Sequence, residues 1–190
     1  MISLKRLFKR AEKRPEPGDL AEAARSGKLE TVRSLVSRGA DINEKDKDGA
    51  TALAGAARSG RIDVVRFLLD SGAALNEQDK NGVTALNWAA HWNYPDIVQM
   101  LVDKGADPNL SDRWGYTPLM WAAHYGHAEC AKLLVEKGAA LDPQDKRGYT
   151  ALSLAEMLRH PEVAGIIRAA APKPVPALPA PEAKTPSPRP

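Results

Sequence analysis

The sequence predicts an all-α solenoid of about five stacked helix-turn-helix units joined by hairpin-like loops, with degenerate capping units at both ends. Three observations carry that expectation. Residues of one type return every thirty-three positions; helix start and stop signals return with them; and each unit carries an apolar stripe too wide for an isolated helix pair to cover.

The period is plain in Asp46, Asp79, Asp112 and Asp145, followed by Gly49, Gly82, Gly115 and Gly148. Thr51, Thr84, Thr117 and Thr150 keep the same interval, as do Leu53, Leu86, Leu119 and Leu152, and Ala56, Ala89, Ala122 and Ala155. Gly39, Gly72, Gly105 and Gly138 form a second glycine register, and Glu30, Asp63, Asp96, Glu129 and Glu162 an acidic one.

Each register has a physical reading. Asp-x-x-Gly suits a tight turn, with Asp at its first position and Gly at its fourth. The threonine two residues on is a natural N-cap, and Pro118 fits the first helical position, where its missing N–H costs nothing. Paired alanines (56–57, 89–90, 122–123) let neighbouring helices approach closely. Gly60, Asn93 and Gly126 end the first helices in a left-handed conformation, while Arg159 stands where the last unit has no such residue. Gly55, inside a first helix, is expected to cost about 1 kcal/mol relative to alanine. The acidic register falls in the first turn of a second helix, where the helix dipole favours negative charge. Pro95 and Pro161 start two of these helices. Apolar runs such as Val64, Val65, Phe67, Leu68 and Leu69 then suit a helix touched from both sides. The unit closes with Gly-Ala and an extended, strand-like stretch such as residues 105–109.

Read together, Asp112-Arg113-Trp114-Gly115-Tyr116-Thr117-Pro118-Leu119-Met120-Trp121-Ala122-Ala123, Gly126-His127, Leu133-Leu134-Val135 and Gly138-Ala139 resemble the ankyrin repeat. The resemblance covers residues 18–168: an N-terminal cap at 18–45, units at 46–78, 79–111 and 112–144, and a C-terminal cap at 145–168. It implies an ankyrin-repeat solenoid whose work is non-catalytic protein recognition across a concave face, with a regulatory subunit or inhibitor of an enzyme as the alternative reading.

Residues 1–17 form a basic segment of net charge +4, with Leu4, Leu7, Phe8 and Ala11 at helical spacing. Two readings fit: a helix covering the open end of the stack, or a basic amphipathic helix, residues 1–14, that meets an anionic membrane, nucleic acid or acidic protein. Residues 169–190 are Ala/Pro-rich with net charge +2 and read as a disordered tail. That tail is a plain spacer or, through Pro176-Ala177-Leu178-Pro179, a Pro-x-x-Pro ligand. The overall +3 therefore belongs to the two ends, and the body between them carries −3.

No stretch is long and apolar enough to cross a bilayer, and no apolar secretory segment follows the basic start. With a single cysteine, Cys130, the chain reads as cytoplasmic. Cys130 shares its register with Val64 and Ile97 and is expected in the core. His127 and His160, after the inter-helix turn, read as structural. His91 and His124 stand one repeat apart, too far to share a metal. No phosphate loop, nucleophile elbow or His-Glu-x-x-His occurs, so neither catalysis, cofactor, metal nor small-molecule substrate is expected.

Carrying the family's contact positions over, the hairpin tips and first-helix ends bring Trp92, Trp114, Tyr116, Tyr125 and Tyr149 to one surface, with His91 and His124 beside them. Lys47, Lys80, Arg113 and Lys146 follow the turn aspartates, either as solvated tips or as partner contacts. Trp114 and Tyr116 on an exposed turn have no folding reason and suit a protein interface. Trp88 and Trp121, beside the alanine pairs, are expected to pack between repeats.

Overall fold

The structure is a computed structural model and describes residues 18–171. The basic opening segment and the Pro-x-x-Pro motif lie outside these residues. Ten helices are present among them, paired in five units: α1 (Asp19–Arg25) with α2 (Leu29–Ser37), α3 (Ala52–Arg58) with α4 (Ile62–Asp70), and α5 (Ala85–His91) with α6 (Pro95–Asp103). Helices α7 (Pro118–Tyr125) and α8 (Ala128–Glu136) form the fourth unit, and α9 (Ala151–Met157) and α10 (Pro161–Ala170) the fifth. The first helices pack on one another in chain order and the second helices form a parallel row behind them.

The repeating residues do the work their chemistry suggests. In every hairpin the glycine N–H donates to the aspartate carbonyl, at 2.9 Å in the first three and 3.0 Å in the last. The carboxylate Oδ1 of the same aspartate accepts the N–H groups two and four residues on, as at Asp112 from Trp114 and Tyr116, both at 2.9 Å. All four threonines cap their helices: Thr51, Thr84, Thr117 and Thr150 each accept the N–H three residues later, at 3.2–3.3 Å. Such a cap contributes about 1 kcal/mol. The second helices lack side-chain caps and carry the acidic first turn instead.

Burial runs through the stack without a break. Leu53, Leu86 and Leu119 are fully buried, and each buried leucine stabilises by about 1.5–3 kcal/mol. Leu152 and Thr150, in the same registers, are only half-buried, because among the described residues no further unit covers the last one. Gly55 lies against α1, where a Cβ would stand 3.4 Å from the Ala21 carbonyl oxygen.

Hydrogen bonds also join the units directly. Lys80, Arg113 and Lys146 donate their backbone N–H to the carbonyls of Asp48, Asn81 and Trp114 in the preceding hairpin, at 2.8–3.1 Å. Asn43, Asn76 and Asn109 form a second ladder, each accepting the N–H of Ala74, Asp107 or Ala140 in the next unit. His127 and His160 form a third: each Nε2 lies 3.1 Å from the carbonyl of His91 or His124. A carbonyl only accepts, so Nε2 carries the proton in both rings.

Two expectations need correction. Residues 105–109 form turns, not an extended strand, because Asp107 Oδ1 accepts the Asn109 N–H and curls the segment. No strand occurs among the described residues. The last helix also runs through Ala170, beyond the expected boundary at 168, with Val163, Ala164 and Ile167 buried against its neighbours.

The inter-helix glycines set how closely units approach. Gly126 has φ of 75°, and a Cβ there would stand 2.5 Å from the His160 ring of the next unit. Gly39, at φ of 84°, faces open space. Gly126→Ala is therefore expected to cost about 2–3 kcal/mol, from backbone strain plus the displaced ring, and Gly39→Ala about 1 kcal/mol, from strain alone. Urea denaturation of the two variants measures the difference.

Candidate functional site

The hairpin tips and the first helices face each other across a groove, and the aromatic side chains meet there. Helix phase decides which ones. Trp88 and His91 lie three residues apart on one face of α5, and Trp121, His124 and Tyr125 repeat that face on α7. His91 sits among four rings, with centroids 5.8 Å from Trp88, 4.8 Å from Trp92, 4.6 Å from Trp121 and 4.8 Å from Tyr125. Trp121 stacks on Tyr125 at 6.1 Å and 8° and touches Tyr116 at 4.7 Å. Tyr125 stacks in turn on His127. The result is one aromatic sheet across the third and fourth units.

The sheet is held from below. Trp121 Nε1 donates to Asp112 Oδ2 at 3.1 Å, so the aspartate that builds the hairpin also orients the indole. Burial raises the Asp112 pKa, against the pull of N–H donors from Tyr116, Trp114 and Trp121. Asn87 is fully buried; its amide nitrogen donates to the carbonyls of Leu110 and Tyr116, tying α5 to the next hairpin.

The expected tryptophans and tyrosines fall into three groups. Trp92, Trp114 and Tyr125 are 48%, 43% and 46% exposed, large apolar surface that folding leaves uncovered. Tyr116 differs from expectation: it is half-buried against Trp121, with its hydroxyl 3.4 Å from His124 Nδ1. Val83, one unit earlier in the same register, is buried outright. Tyr149 is exposed, but no ring contact joins it to the others. Arg113 caps the group, its guanidinium 4.2 Å from the Trp114 ring centre.

Trp88 and Trp121 do span adjacent repeats, as expected, and they also wall the groove. Trp88, Trp114, Trp121, His91, Asn87, Asn81 and Val83 line an open cavity of about 180 Å³. On the far side of Trp88 lies a second cavity, about 390 Å³, lined by charged groups that include Arg58, Lys80 and Asp48. Arg58 stacks on Trp88 at 4.6 Å between the two. The three-residue spacing from Trp88 to His91 and from Trp121 to His124 signals a shared face.

Burial lowers the pKa of His91, and the nearby His127, His124 and Arg58 charges lower it further. His124 and His127 move the same way, chiefly through burial. Burial pushes the Cys130 thiol up to about 12, and its Sγ donates to Asn93 Oδ1 at 3.5 Å. Among the described residues, no cluster of three or more His, Cys, Asp or Glu is placed to hold a metal ion. No helix there is long and apolar enough to cross a membrane.

A family model described as ankyrin repeats, in three copies, matches residues 20–112 and 106–172, most of the chain. No curated protein matches it.

Two outcomes follow from the titrating groups. A histidine whose folded pKa is depressed is neutral in both states above its ordinary value of 6.5. Below that pH the unfolded chain takes the proton first, so acid lowers stability until the folded pKa is passed. Thermal midpoints are expected to fall between about pH 7 and pH 5. The raised Asp112 pulls the other way, so the His91 share is read as the loss of slope in His91→Gln. Separately, Cys130 is expected to resist a thiol reagent at neutral pH in the native state and to react fully once the chain is denatured in urea.

Proposed function

Because the chain belongs to the ankyrin-repeat family, whose repeats are protein-interaction modules, we propose that it binds a partner protein through the groove of its second to fourth hairpin units. The observation that carries this reading is the aromatic sheet around His91, with Trp92, Trp114 and Tyr125 each nearly half exposed. Exposed tryptophan and tyrosine on rigid helices and turns supply large contact area with little ordering entropy, which is why interface hot spots are rich in them.

The mechanism is recognition, not chemical conversion. The hairpin carboxylates are committed to backbone N–H groups, the Cys130 thiol is buried and protonated, and His127 donates to a carbonyl. Those groups serve the scaffold. The side chains turned toward the groove offer apolar area and positive charge, which suit contact with a protein surface. The buried lone thiol also supports a cytoplasmic setting.

The test is affinity capture with quantitative mass spectrometry on the full chain and on a Trp92→Ala, Trp114→Ala, Tyr125→Ala variant. The three side chains are exposed, so the helical circular dichroism signal is expected to stay unchanged. The captured partner is expected to drop about tenfold or more, as when hot-spot anchors are truncated. Equal recovery by both proteins would move the interface elsewhere.

A further inference from the structure

The two cavities flanking Trp88 differ in chemistry, and that difference specifies a ligand. The tryptophan-walled cavity exposes almost wholly apolar lining and measures about 180 Å³. An apolar cavity of about 150 Å³ accepts a benzene, so this one holds a single leucine, methionine or phenylalanine side chain. Three indoles could equally frame a quaternary ammonium ion. The charges argue against it: Arg58 already lies on the Trp88 ring and Arg113 on the Trp114 ring, so cations stand at two of the walls.

The rim is cationic as well. Lys47, Lys80, Arg113, Lys146 and Arg147 are exposed along the hairpin tips. The turn aspartates are largely committed: Asp112 and Asp145 are buried, Asp46 is paired with Arg25 at 2.8 Å, and Asp79, half-buried at the wall of the larger cavity, accepts the Asn81 and Val83 N–H groups through Oδ1. Asp48 is the one exposed carboxylate among these tip residues. Arg58, Lys80 and Arg113 make no salt bridge or side-chain hydrogen bond among the described residues, so their donors are open to a ligand. Asn81 and Trp88 line both cavities, so a segment seated in one lies directly beside the other.

We infer that the groove takes an acidic peptide segment that inserts one large apolar side chain between Trp88, Trp114 and Trp121 and sets neighbouring carboxylates against Arg58, Lys80 and Arg113. This rests on the reading of the groove as a protein-binding surface and adds the chemistry of what it binds. Charge separates this occupant from the chain's own residues 172–190, which carry a net +2 and suit the rim poorly.

The experiment selects a displayed library of random short peptides on the full-length protein and measures the enriched sequences by fluorescence polarisation. Enriched peptides are expected to carry one large apolar residue within a few positions of Asp or Glu. Their affinity is expected to fall about tenfold with Trp114→Ala, a turn position whose loss leaves the core intact, and comparably with Lys80→Glu plus Arg113→Glu. It is also expected to weaken as salt rises, and to be unaffected by deleting residues 172–190. Basic consensus sequences, a preference for trimethyllysine at the anchor, tighter binding after tail deletion, or no enriched peptide at all overturns the inference. None of these results touches the affinity capture above, so the wider reading and the ligand chemistry fail separately.

Discussion

Every unit of this protein depends on surface supplied by the next. Leu53, Leu86 and Leu119 are buried only because a helix pair stands on either side, while Leu152, with a neighbouring unit on one side among the described residues, is half-buried. Close approach is what makes that cover possible. At the hairpins, a Cβ on Gly82 or Gly115 would meet the backbone of the next turn at 3.0–3.3 Å. At the inter-helix turns, the glycine leaves room for a ring such as Tyr94 or His160. The glycines therefore set the spacing, and the spacing allows leucines, asparagines and histidines to reach across it.

The same constraint creates the groove. To hold their turns at a fixed distance, the hairpins direct each aspartate inward, where Oδ1 binds two backbone N–H groups. From the second hairpin on, the lysine or arginine that follows the aspartate (Lys80, Arg113, Lys146) donates its backbone N–H to the previous hairpin, and its side chain lies outside. A row of inward carboxylates and outward cations results from backbone geometry alone. Above it, the first helices place Trp88 and Trp121 one unit apart on one face, with His91 between them. Binding chemistry here is a by-product of stacking that particular side chains have made specific.

Much of this was legible in the residues. Threonine before four of the five first helices, proline at the start of α6, α7 and α10, and acid in the first turn of each second helix act through local hydrogen bonds and the helix dipole. They read the same with or without neighbours. The asparagine ladder and the Trp121–Asp112 bond join residues through space and left no local trace. Tyr116 shows the limit most clearly. On the sequence it belongs to a turn and so to solvent, yet it is half-buried because Trp121, five residues later, folds back over it.

The thirty-three-residue period by itself determined the helices, their caps and the order of units, because each of those follows from local chemistry repeated at constant spacing. Only the tertiary structure decided that three tryptophans wall one cavity, that Tyr149 stands apart from the sheet and that Arg58 lies across Trp88. Those facts depend on the phase of one helix relative to the next and on the offset between units. Both are set by how whole side chains interlock across an interface, a quantity that no single repeat contains.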